Sequence, residues 1–412
     1  MTKAKRKIRI VDYVANPGGG VRFVIELLQA LVDRSDFSYE LVSHGNALRR
    51  YRSLLERSRI RVQLSDIPPA NNPRLDPKVW HRIPGNALML RLVGRTIPWT
   101  IRVPQRAFGD CDLVWFPWIH RHEADWNTRT PLVATFHDTI GLQFSGVWPV
   151  AAQTTEHELM KRWFASDARI LVTSKSTTES LKFLFGQEPS RFQVIRLTGM
   201  HSASPLERVQ PTERWEWMHK PYILCPANVS PHKNHETLLQ AVAKWEAAIP
   251  IVLVGSGTDW NSKAREGDAR QRVLRNLDAK LQLSSRGKIL GLGYVDDATY
   301  FALLSNAWAL VMPTLAEGGG SFPVGEAILR GIPAICTDIP VMQEFVEVNE
   351  GKVWMFKAQC QDELAARLNE FVESYDQIKS EAVEASKSLA FDTWGIVAEK
   401  YVRVFSQPFT LG

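Results

Sequence analysis

The sequence has few cysteines and no long hydrophobic run. Only four of its 412 residues are cysteines, and no two have the spacing of a C-x-x-C pair. We therefore expect Cys111, Cys225, Cys336 and Cys360 to be reduced core residues of a cytoplasmic protein. No apolar run reaches about 18 residues, which excludes a transmembrane helix. The basic N-terminus leads into a β-branched stretch without a cleavage site, so we expect no secretion signal.

Several common signatures are also missing. The composition is close to the globular average, which excludes a disordered, collagen-like or coiled-coil chain. No repeat of 20–50 residues occurs. The glycine loop at 18–20 lacks the G-x-G-x-x-G spacing of a dinucleotide fingerprint and the Gly-Lys-Ser/Thr of a Walker loop.

Positive charge is concentrated at the start of the chain. Residues 1–110 hold 20 Lys and Arg against 9 Asp and Glu, whereas the remainder holds 30 against 35. An excess of this kind favours an anionic partner. Residues 46–61 and 79–106 place arginines beside Leu, Ile and Trp, which indicates either binding to an anionic membrane surface or a solvated basic face over the core. We expect no nucleic-acid partner, because no recognition motif is present.

Short apolar runs alternate with helical stretches in two successive series, which predicts an α/β protein with two doubly wound parallel sheets. The first series runs from strand 7–14 to strand 193–197 and the second starts at strand 222–227. A polar, proline-containing stretch separates them. We predict an N-terminal domain (1–200), a linker (201–220), a C-terminal domain (221–391) and a C-terminal helix (392–412) that packs back on the N-terminal domain.

Three polar or glycine-rich elements follow strands of these series, where ligands of doubly wound sheets bind. The first is the glycine loop at 18–20, whose amides could approach an anion, although a plain tight turn is the alternative. The second is Lys233, placed to neutralise a phosphate, with a lone surface lysine as the alternative. The third runs from Glu317 through three glycines to Glu326, where carboxylates can bind sugar hydroxyls. Its alternative is helix capping, with Ser321 as the cap.

These elements, in this order, resemble the GT-B glycosyltransferases, and above all the retaining family GT4. The resemblance covers nearly the whole chain and is most specific in YILCPANVSPHKNHETLL (222–239), GLGYVDDATYFALLSNAWALVMP (291–313) and EGGGSFPVGEAILRGIPAICTDIPVMQE (317–344). It implies two Rossmann-like domains facing a cleft, a nucleotide-sugar donor and no required metal or other cofactor.

The resemblance also implies roles for individual residues. Lys233 would stabilise the leaving diphosphate, Glu317 would contact the donor sugar, and Glu326 would hold the ribose hydroxyls. His137 and Asp138 match the family's His-Asp pair beside the donor sugar, with a core-packed histidine as the alternative. The remaining matches are to donor-binding positions: Gly19, Gly20, Asn228, Gly255, Gly257, Gly293, Tyr294, Val295, Gly319, Gly320, Ser321 and Phe322.

Two positions depart from the family pattern. Eight residues separate Glu317 from Glu326 where the family has seven, and we expect a bulge in the glycine turn to absorb the extra one. Asn228 stands in the region where family members often have an arginine, so Lys233, together with His232, would have to neutralise more of the phosphate charge.

A separate cluster has residue types that can bind metals: His120, His122, Glu123 and Asp125. We expect a solvated loop there instead, with a role on the acceptor side as a further alternative.

The sequence therefore predicts a retaining hexosyltransferase of bacterial polysaccharide or lipopolysaccharide synthesis. The turn from Gly318 to Val324 resembles that of bacterial family members acting on mannose- or deoxymannose-type donors, which implies a GDP-linked donor rather than a UDP-linked one. The acceptor would be a saccharide or a lipid-linked saccharide. Peripheral binding to the inner face of the cytoplasmic membrane would fit such an acceptor. Two alternatives are a non-catalytic GT-B partner subunit and another GT-B enzyme, such as a sugar-nucleotide epimerase or a phosphorylase.

Overall fold

The structure is a computed structural model that describes residues 5–15, 18–32, 34, 37–71, 99–148, 150–198, 218–261 and 269–409. It divides into two compact units. Unit 1 comprises Met1–Leu142, Trp148–Arg196 and Thr393–Gly412, and unit 2 comprises Gln143–Val147 and Leu197–Asp392. The predicted linker lies mostly outside the described residues, as does most of the predicted basic segment 79–106.

Unit 1 contains a seven-stranded parallel sheet in the order β3-β2-β1-β5-β7-β8-β9. A short parallel pair, β4 with β6, lies apart from it. The strands are β1 (Arg6–Val11), β2 (Phe37–Ser43), β3 (Gln63–Asp66), β4 (Ile101–Arg102), β5 (Leu113–Phe116), β6 (His122–Glu123), β7 (Leu132–Phe136), β8 (Arg169–Val172) and β9 (Gln193–Val194).

Helices connect these strands, and the last helix of the chain joins them in unit 1. They are α1 (Gly19–Val32), α2 (Gly45–Arg57), α3 (Ile140–Gln143), α4 (Val150–Ala165), α5 (Lys175–Phe185) and α13 (Trp394–Ser406). Tyr401 of α13 lies 5.2 Å from the ring of Trp115 on β5, and its hydroxyl is 3.1 Å from that of Thr135 on β7. The C-terminal helix thus packs onto the sheet of unit 1.

Unit 2 contains a six-stranded parallel sheet in the order β12-β11-β10-β13-β14-β15. Its elements are β10 (Ile223–Pro226), α6 (His235–Lys244), β11 (Ile251–Val254), α7 (Ala269–Leu281), β12 (Ile289–Gly291), α8 (Asp297–Asn306), β13 (Ala309–Met312), α9 (Phe322–Leu329), β14 (Ala334–Asp338), α10 (Pro340–Val348), β15 (Trp354–Lys357), α11 (Gln361–Glu373) and α12 (Tyr375–Ser386).

Counted along each sheet's own strands, the order is 3-2-1-4-5-6-7 in unit 1 and 3-2-1-4-5-6 in unit 2, which is the doubly wound pattern. The order reverses beside the first strand, which makes β1/β5 and β10/β13 the two switch points where ligands of such folds bind. The central strands are buried on both faces, and their Val, Ile and Leu side chains supply the core. The α/β architecture with parallel sheets in two domains confirms the predicted fold class.

The prediction for the cysteines needs correction here. Cys225 and Cys336 are core residues, but Cys111 and Cys360 are only half-buried; all four lie within the described residues and are free thiols. Burial raises the pKa of both core thiols to about 12.

Within the described ranges, no helix is long and apolar enough to cross a membrane.

Candidate functional site

Four loops meet at the carboxyl edge of the unit 2 sheet, around its switch point. They follow β10, β11, β12 and β13, and hydrogen bonds between them fix their spacing. The Gly255 amide donates to the Gly293 carbonyl at 2.8 Å, and the Val229 amide donates to the Ser256 carbonyl at 3.2 Å. The Leu315 amide donates to the His232 carbonyl at 2.7 Å. The loops thus form one hydrogen-bonded rim on which side chains can be held in place.

Lys233 is presented by a short 3-10 turn, Pro231–Lys233, in the loop after β10. Proline at the start of this turn presets its backbone, and Asn234 follows in the left-handed region with φ of 52°. Asn is one of the residues that tolerates this conformation. The turn ends where α6 begins, so the position of Lys233 is set by a rigid helix start.

Glu317, in the loop after β13, pairs with Lys233. The Lys233 ammonium donates to Oε1 of Glu317 at 2.5 Å, and the two side chains are 18% and 11% exposed. Such partial burial strengthens an ion pair relative to one at the open surface. The structure therefore brings together two of the predicted catalytic residues, a cation and a carboxylate, at the switch point of this sheet.

The glycine turn after Glu317 accommodates the extra residue between the two glutamates. Gly320 has φ of +104°, and a Cβ there would lie 2.1 Å from the ring of Phe345. Only glycine fits this backbone so close to an aromatic ring. Ser321 sits at the N-cap of α9 but its side chain makes no capping hydrogen bond, so the capping alternative does not explain this residue. Gly319 and Phe322 flank the same turn at the start of α9.

Glu326 lies inside α9 and is almost completely buried. The Tyr300 hydroxyl, from α8, donates to its Oε2 at 2.6 Å. The Arg330 guanidinium donates to its backbone carbonyl at 2.9 Å. One carboxylate oxygen is thus fixed by a phenol. A carboxylate oriented in this way can accept bidentate hydrogen bonds from neighbouring hydroxyls.

The other predicted donor-binding residues lie on the same rim. A Cβ on Gly255, where φ is +138°, would lie 2.7 Å from the backbone of Ala227, so this glycine allows the loops after β10 and β11 to touch. Gly257 follows in the same loop, and Gly293 is buried beside Asp259. Tyr294 is 78% exposed, and Val295 packs against the core. Asn228 is exposed and accepts a hydrogen bond from the Ser230 amide.

His232 does not share the phosphate charge, contrary to the prediction. It is buried, and burial together with the charge of Lys233 lowers its pKa to about 3. The ring is therefore neutral at physiological pH. Lys233 is the cation of the loop after β10.

At the carboxyl edge of unit 1, the loop after β1 is held by Asp12. Its carboxylate accepts hydrogen bonds from the Val14 amide at 2.8 Å and the Tyr51 hydroxyl at 2.5 Å. Desolvation and the charge of Asp12 raise the pKa of Tyr51 well above its ordinary value. The glycine loop then enters α1.

Gly19 and Gly20 are the first residues of α1, while Gly18 just before them has φ of +90°. Their amides are therefore helix N-terminal groups, which suit an anion.

His137 and Asp138 follow β7 at the same edge of unit 1. The Nε2 atom of His137 donates to the Pro117 carbonyl at 2.8 Å, and its ring stacks on Trp118 with centroids 4.8 Å apart. Burial lowers the pKa of His137 to about 4, so the ring is neutral at physiological pH. The Asp138 carboxylate accepts from the Ile140 amide at 2.9 Å. The core-packed alternative for His137 thus has clear structural support, but the ring still lies at the ligand edge.

The predicted solvated loop at 120–125 is wrong for its first half. His120, His122 and Glu123 are all buried. The Nδ1 atom of His120 lies 2.9 Å from Oε1 of Glu156, and the Tyr13 amide donates to Nε2 of His122 at 2.9 Å. No cluster able to hold a metal ion occurs among the residues that the structure describes.

Sequence reasoning missed several residues of these two edges. Tyr300 lies outside the glycine turn of 317–326, but it belongs to the family-like segment 291–313 and could have been predicted from it. Asp12, directly after β1, has the position of a ligand-edge residue and could have been found. Glu156 gives no sequence signal, because only the tertiary packing of α4 brings it to His120.

Two family models match most of the chain. Residues 17–197 match the family model described as Glycosyltransferase Family 4, and residues 210–388 match the one described as Glycosyl transferases group 1. The chain is 24% identical over 217 residues to the O-antigen chain mannosyltransferase RfbU of Salmonella typhimurium, covering 50% of this chain and 55% of RfbU. It is 25% identical over 181 residues to the serotype-specific mannosyltransferase WbdA of Escherichia coli, covering 43% of this chain and 20% of WbdA. The matches thus span about half or less of these curated relatives.

Solved structures share the fold across nearly the whole chain. HepE of Anabaena, in complex with UDP and glucose, superimposes with a TM-score of 0.66 at 18% identity over 97% of this chain and 99% of HepE. WaaG, a glycosyltransferase involved in lipopolysaccharide biosynthesis, gives a TM-score of 0.64 at 13% identity over 97% and 100%. Identities this low show the fold alone. The two family matches show that the chain is a GT4-like glycosyltransferase, and the solved structures show that its fold is GT-B.

Proposed function

We propose that the chain transfers a mannose-type sugar from a nucleotide-sugar donor to a saccharide or lipid-linked saccharide during assembly of a bacterial surface polysaccharide of the O-antigen or lipopolysaccharide kind. The carrying observation is the ion pair between Lys233 and Glu317 at the switch point of the unit 2 sheet. The pair places one cation beside a glycine turn, where diphosphate oxygens can reach both an ammonium and the backbone.

Lys233 is proposed to stabilise the charge that grows on the leaving diphosphate. Preorganised charge of this kind is usually the largest catalytic contribution. Here the 2.5 Å contact with Glu317 holds the ammonium before the donor arrives. Glu317 is then close enough to contact the sugar attached to that diphosphate.

Glu326 is proposed to bind the ribose hydroxyls of the donor. The Tyr300 hydroxyl orients its carboxylate at the edge of the sheet, and a carboxylate is the kind of group that accepts bidentate hydrogen bonds from neighbouring hydroxyls. Tyr294 and Val295, in the loop after β12, are proposed to flank the nucleobase, and the exposure of Tyr294 suits stacking on a base.

We propose a retaining, front-side reaction that needs neither metal nor other cofactor. The bond from the anomeric carbon to the phosphate oxygen breaks as the acceptor oxygen bonds to the same face. The departing phosphate oxygen takes the acceptor's proton. The alternative retaining route, a double displacement, would instead need a carboxylate nucleophile about 5 Å from a second, acidic carboxyl group. His137, neutral because of its low pKa, is proposed to bind sugar hydroxyls rather than to act as a base.

The named activity of the relatives supports the donor sugar. RfbU and WbdA are both mannosyltransferases, in agreement with the preference for mannose-type donors that the glycine turn suggested. HepE was solved with UDP and glucose, which makes UDP-glucose the natural competitor. The proposal favours GDP-linked mannose.

A membrane-bound acceptor is supported by the basic face of α2. Arg49, Arg52 and Arg57 are exposed there, whereas Leu48 and Tyr51 are buried in unit 1. Because the apolar side of α2 is taken up by the core, any attraction to anionic lipid would be electrostatic and salt-sensitive. Cosedimentation with anionic liposomes tests this: recovery at low salt that is lost at high salt supports it, and no recovery at low salt contradicts it.

The proposed activity is tested with a panel of GDP-mannose, UDP-glucose and a dTDP-linked deoxysugar. Release of nucleoside diphosphate is measured with and without a bacterial lipid extract as acceptor, and the anomeric configuration of the product is read by NMR. We expect turnover with GDP-mannose and a retained configuration. No turnover with any donor would favour a non-catalytic subunit, and epimerised nucleotide sugar would favour an epimerase.

A further inference from the structure

Three buried histidines, His120, His122 and His137, lie near the carboxyl edge of the unit 1 sheet. Their hydrogen-bond partners favour different protonation states. Nδ1 of His122 faces the His120 carbonyl at 3.0 Å, while Nε2 of His122 receives the Tyr13 amide. One nitrogen must donate and the other must accept, so His122 is neutral. His137 donates from Nε2 to the Pro117 carbonyl and is also neutral.

His120 differs because both of its ring nitrogens face oxygen acceptors. Nδ1 lies 2.9 Å from Oε1 of Glu156, and Nε2 lies 2.9 Å from the carbonyl of Asp138. A neutral imidazole carries only one N–H and can satisfy only one of these acceptors. Only a doubly protonated, positively charged ring can donate to both oxygens at once.

The surroundings of His120 pair the positive charge of the ring with a carboxylate and shield it from water. Its ring is packed against Phe136, Trp118 and Trp148, with centroids 5.0 to 5.4 Å away. Glu156 on α4 is fully buried and accepts further hydrogen bonds from the indole of Trp99 at 2.6 Å and from the Arg121 amide. The carboxylate is thus fixed independently of His120 and presents its charge to the ring.

The contact with Asp138 ties His120 to the ligand edge. The His137 carbonyl is held by the hydroxyl of Thr173 at 3.1 Å, and the Asp138 carbonyl by Nε2 of His120. A threonine hydroxyl donates at any ordinary pH, but the imidazole does so only while Nε2 is protonated. Once that proton is lost, the Nε2 lone pair faces the Asp138 oxygen across 2.9 Å, and the two repel.

We infer that His120 is a buried imidazolium that positions the His137–Asp138 segment through the Asp138 carbonyl, so that loss of its proton displaces this segment and stops turnover. The link to turnover rests on the proposed function, whereas the charge and the positioning do not. His120 is a positioning residue, since it contacts Asp138 and no reacting atom.

Charged and titratable groups from each neighbouring element act on His120. Glu156 comes from α4, Asp138 and neutral His137 come from the loop after β7, and Arg121 follows in the chain. Burial opposes the charge, but the hydrogen bond and charge of Glu156, helped by Asp138, raise the pKa of His120. The positive ring in turn helps to lower the pKa of His137.

The test combines NMR with a pH–rate profile on the full chain. In protein labelled with 15N-histidine at pH 6.5, the ordinary pKa of histidine, most of the His120 rings are expected to carry two protons. A mostly neutral tautomer at that pH would overturn the inference. The Thr139 amide, which shares a peptide plane with the Asp138 carbonyl, should shift with the same midpoint as the His120 ring. A Thr139 amide that ignores that midpoint would overturn the positioning role even if no donor is turned over.

With an active donor, kcat should fall on the alkaline side with the midpoint of the His120 titration. Glu156→Gln should move both midpoints to lower pH by at least one unit, a tenfold loss of proton affinity. Glu158→Gln, on the same helix but exposed, is the matched control and should move neither. Midpoints unchanged by Glu156→Gln would overturn the inference. If Glu156→Gln does not fold, agreement between the wild-type NMR and kinetic midpoints decides in its place, and disagreement overturns it.

Discussion

The two units share a strand order but differ at the edges where ligands of such folds bind. At the unit 2 switch point, Lys233, Glu317 and Glu326 sit around glycine-rich loops, and each makes a side-chain hydrogen bond at that edge. At the unit 1 switch point, Asp12, His120 and His122 are buried and their hydrogen bonds are used to hold loops. The same strand order thus supports two kinds of ligand-binding edge.

This difference teaches that strand order fixes where a site lies and loop chemistry fixes what it can do. A charged group on the glycine rim is available to a ligand. A charged group inside the aromatic packing of unit 1 must be paired within the protein, because an unpaired buried charge is costly. We therefore expect changes in unit 2 to act mainly on donor chemistry, and changes in unit 1 to act on loop position and stability.

The largest effect is expected for Lys233→Ala. Loss of the only cation of the loop after β10 should lower kcat by about 10²- to 10³-fold, the usual result of removing one preorganised charge-stabilising group. Lys244→Ala is the matched control, since Lys244 is also an ion-paired lysine of unit 2 but is exposed and binds Asp362. Steady-state kinetics with matched melting curves check this. Equal kcat for both variants would exclude the proposed role.

Acid sensitivity should be present in both units. The folded-state pKa is about 4 for His137 in unit 1 and about 3 for His232 in unit 2. Below about pH 6.5 these two histidines take up protons in the unfolded chain but stay neutral in the folded protein. The free energy of unfolding therefore falls as the pH is lowered from about 6.5 toward the folded-state pKa values. His137→Gln and His232→Gln should each reduce the loss between pH 7 and 4.5 by on the order of 2 to 3 kcal/mol. Denaturant titrations at both pH values measure this, and an unchanged loss in either variant would count against burial of that ring.

Gly320→Ala should destabilise unit 2. The new Cβ would meet the ring of Phe345 at 2.1 Å on a backbone with φ of +104°. Overpacking and strain of this kind cost about 2 kcal/mol. Gly109→Ala in unit 1, which meets nothing within 4 Å, should change the free energy of unfolding by less than about 0.5 kcal/mol. Denaturant unfolding of both variants decides, and equal stability would mean that the turn has another conformation.

The smallest effect is expected for Tyr300→Phe. Removing the hydroxyl that orients Glu326 should raise the KM for the donor about threefold to tenfold, the size of one hydrogen bond, with kcat little changed. Glu326→Gln should raise the same KM further. A KM unaffected by either change would remove Glu326 from the donor site.

The sequence predicted the fold well because both sheets are parallel and buried. Runs such as LVATF at 132–136 and IVLV at 251–254 are almost wholly apolar, and they form β7 and β11. Strands β2, β3 and β15 give a weaker local signal, since FSYELVS, QLSD and WMFK mix polar and apolar residues. The helical pattern of 361–388 does not show that this stretch forms two helices, α11 and α12, with Ser374 between them.

For the candidate site, local signals and tertiary contacts contributed differently. Lys233 and the glutamates stand in motifs next to strand ends, so their position could be predicted. The contact of Tyr300 with Glu326 joins two helices, and that of Glu156 with His120 joins a helix to a loop 36 residues away. The mistaken solvated loop at His120 has the same origin, because polar residue types do not reveal that α4 and aromatic rings cover them.

The central claim is that the donor nucleotide binds at the unit 2 edge through Lys233 and Glu326. Amide hydrogen exchange with and without saturating GDP tests it directly, since both edges are read in one experiment. We predict slower exchange in 227–236 and 313–326, with the protection of 227–236 lost in Lys233→Ala. Slowing confined to the segments after β1 and β5, or no slowing at either edge, would contradict the claim.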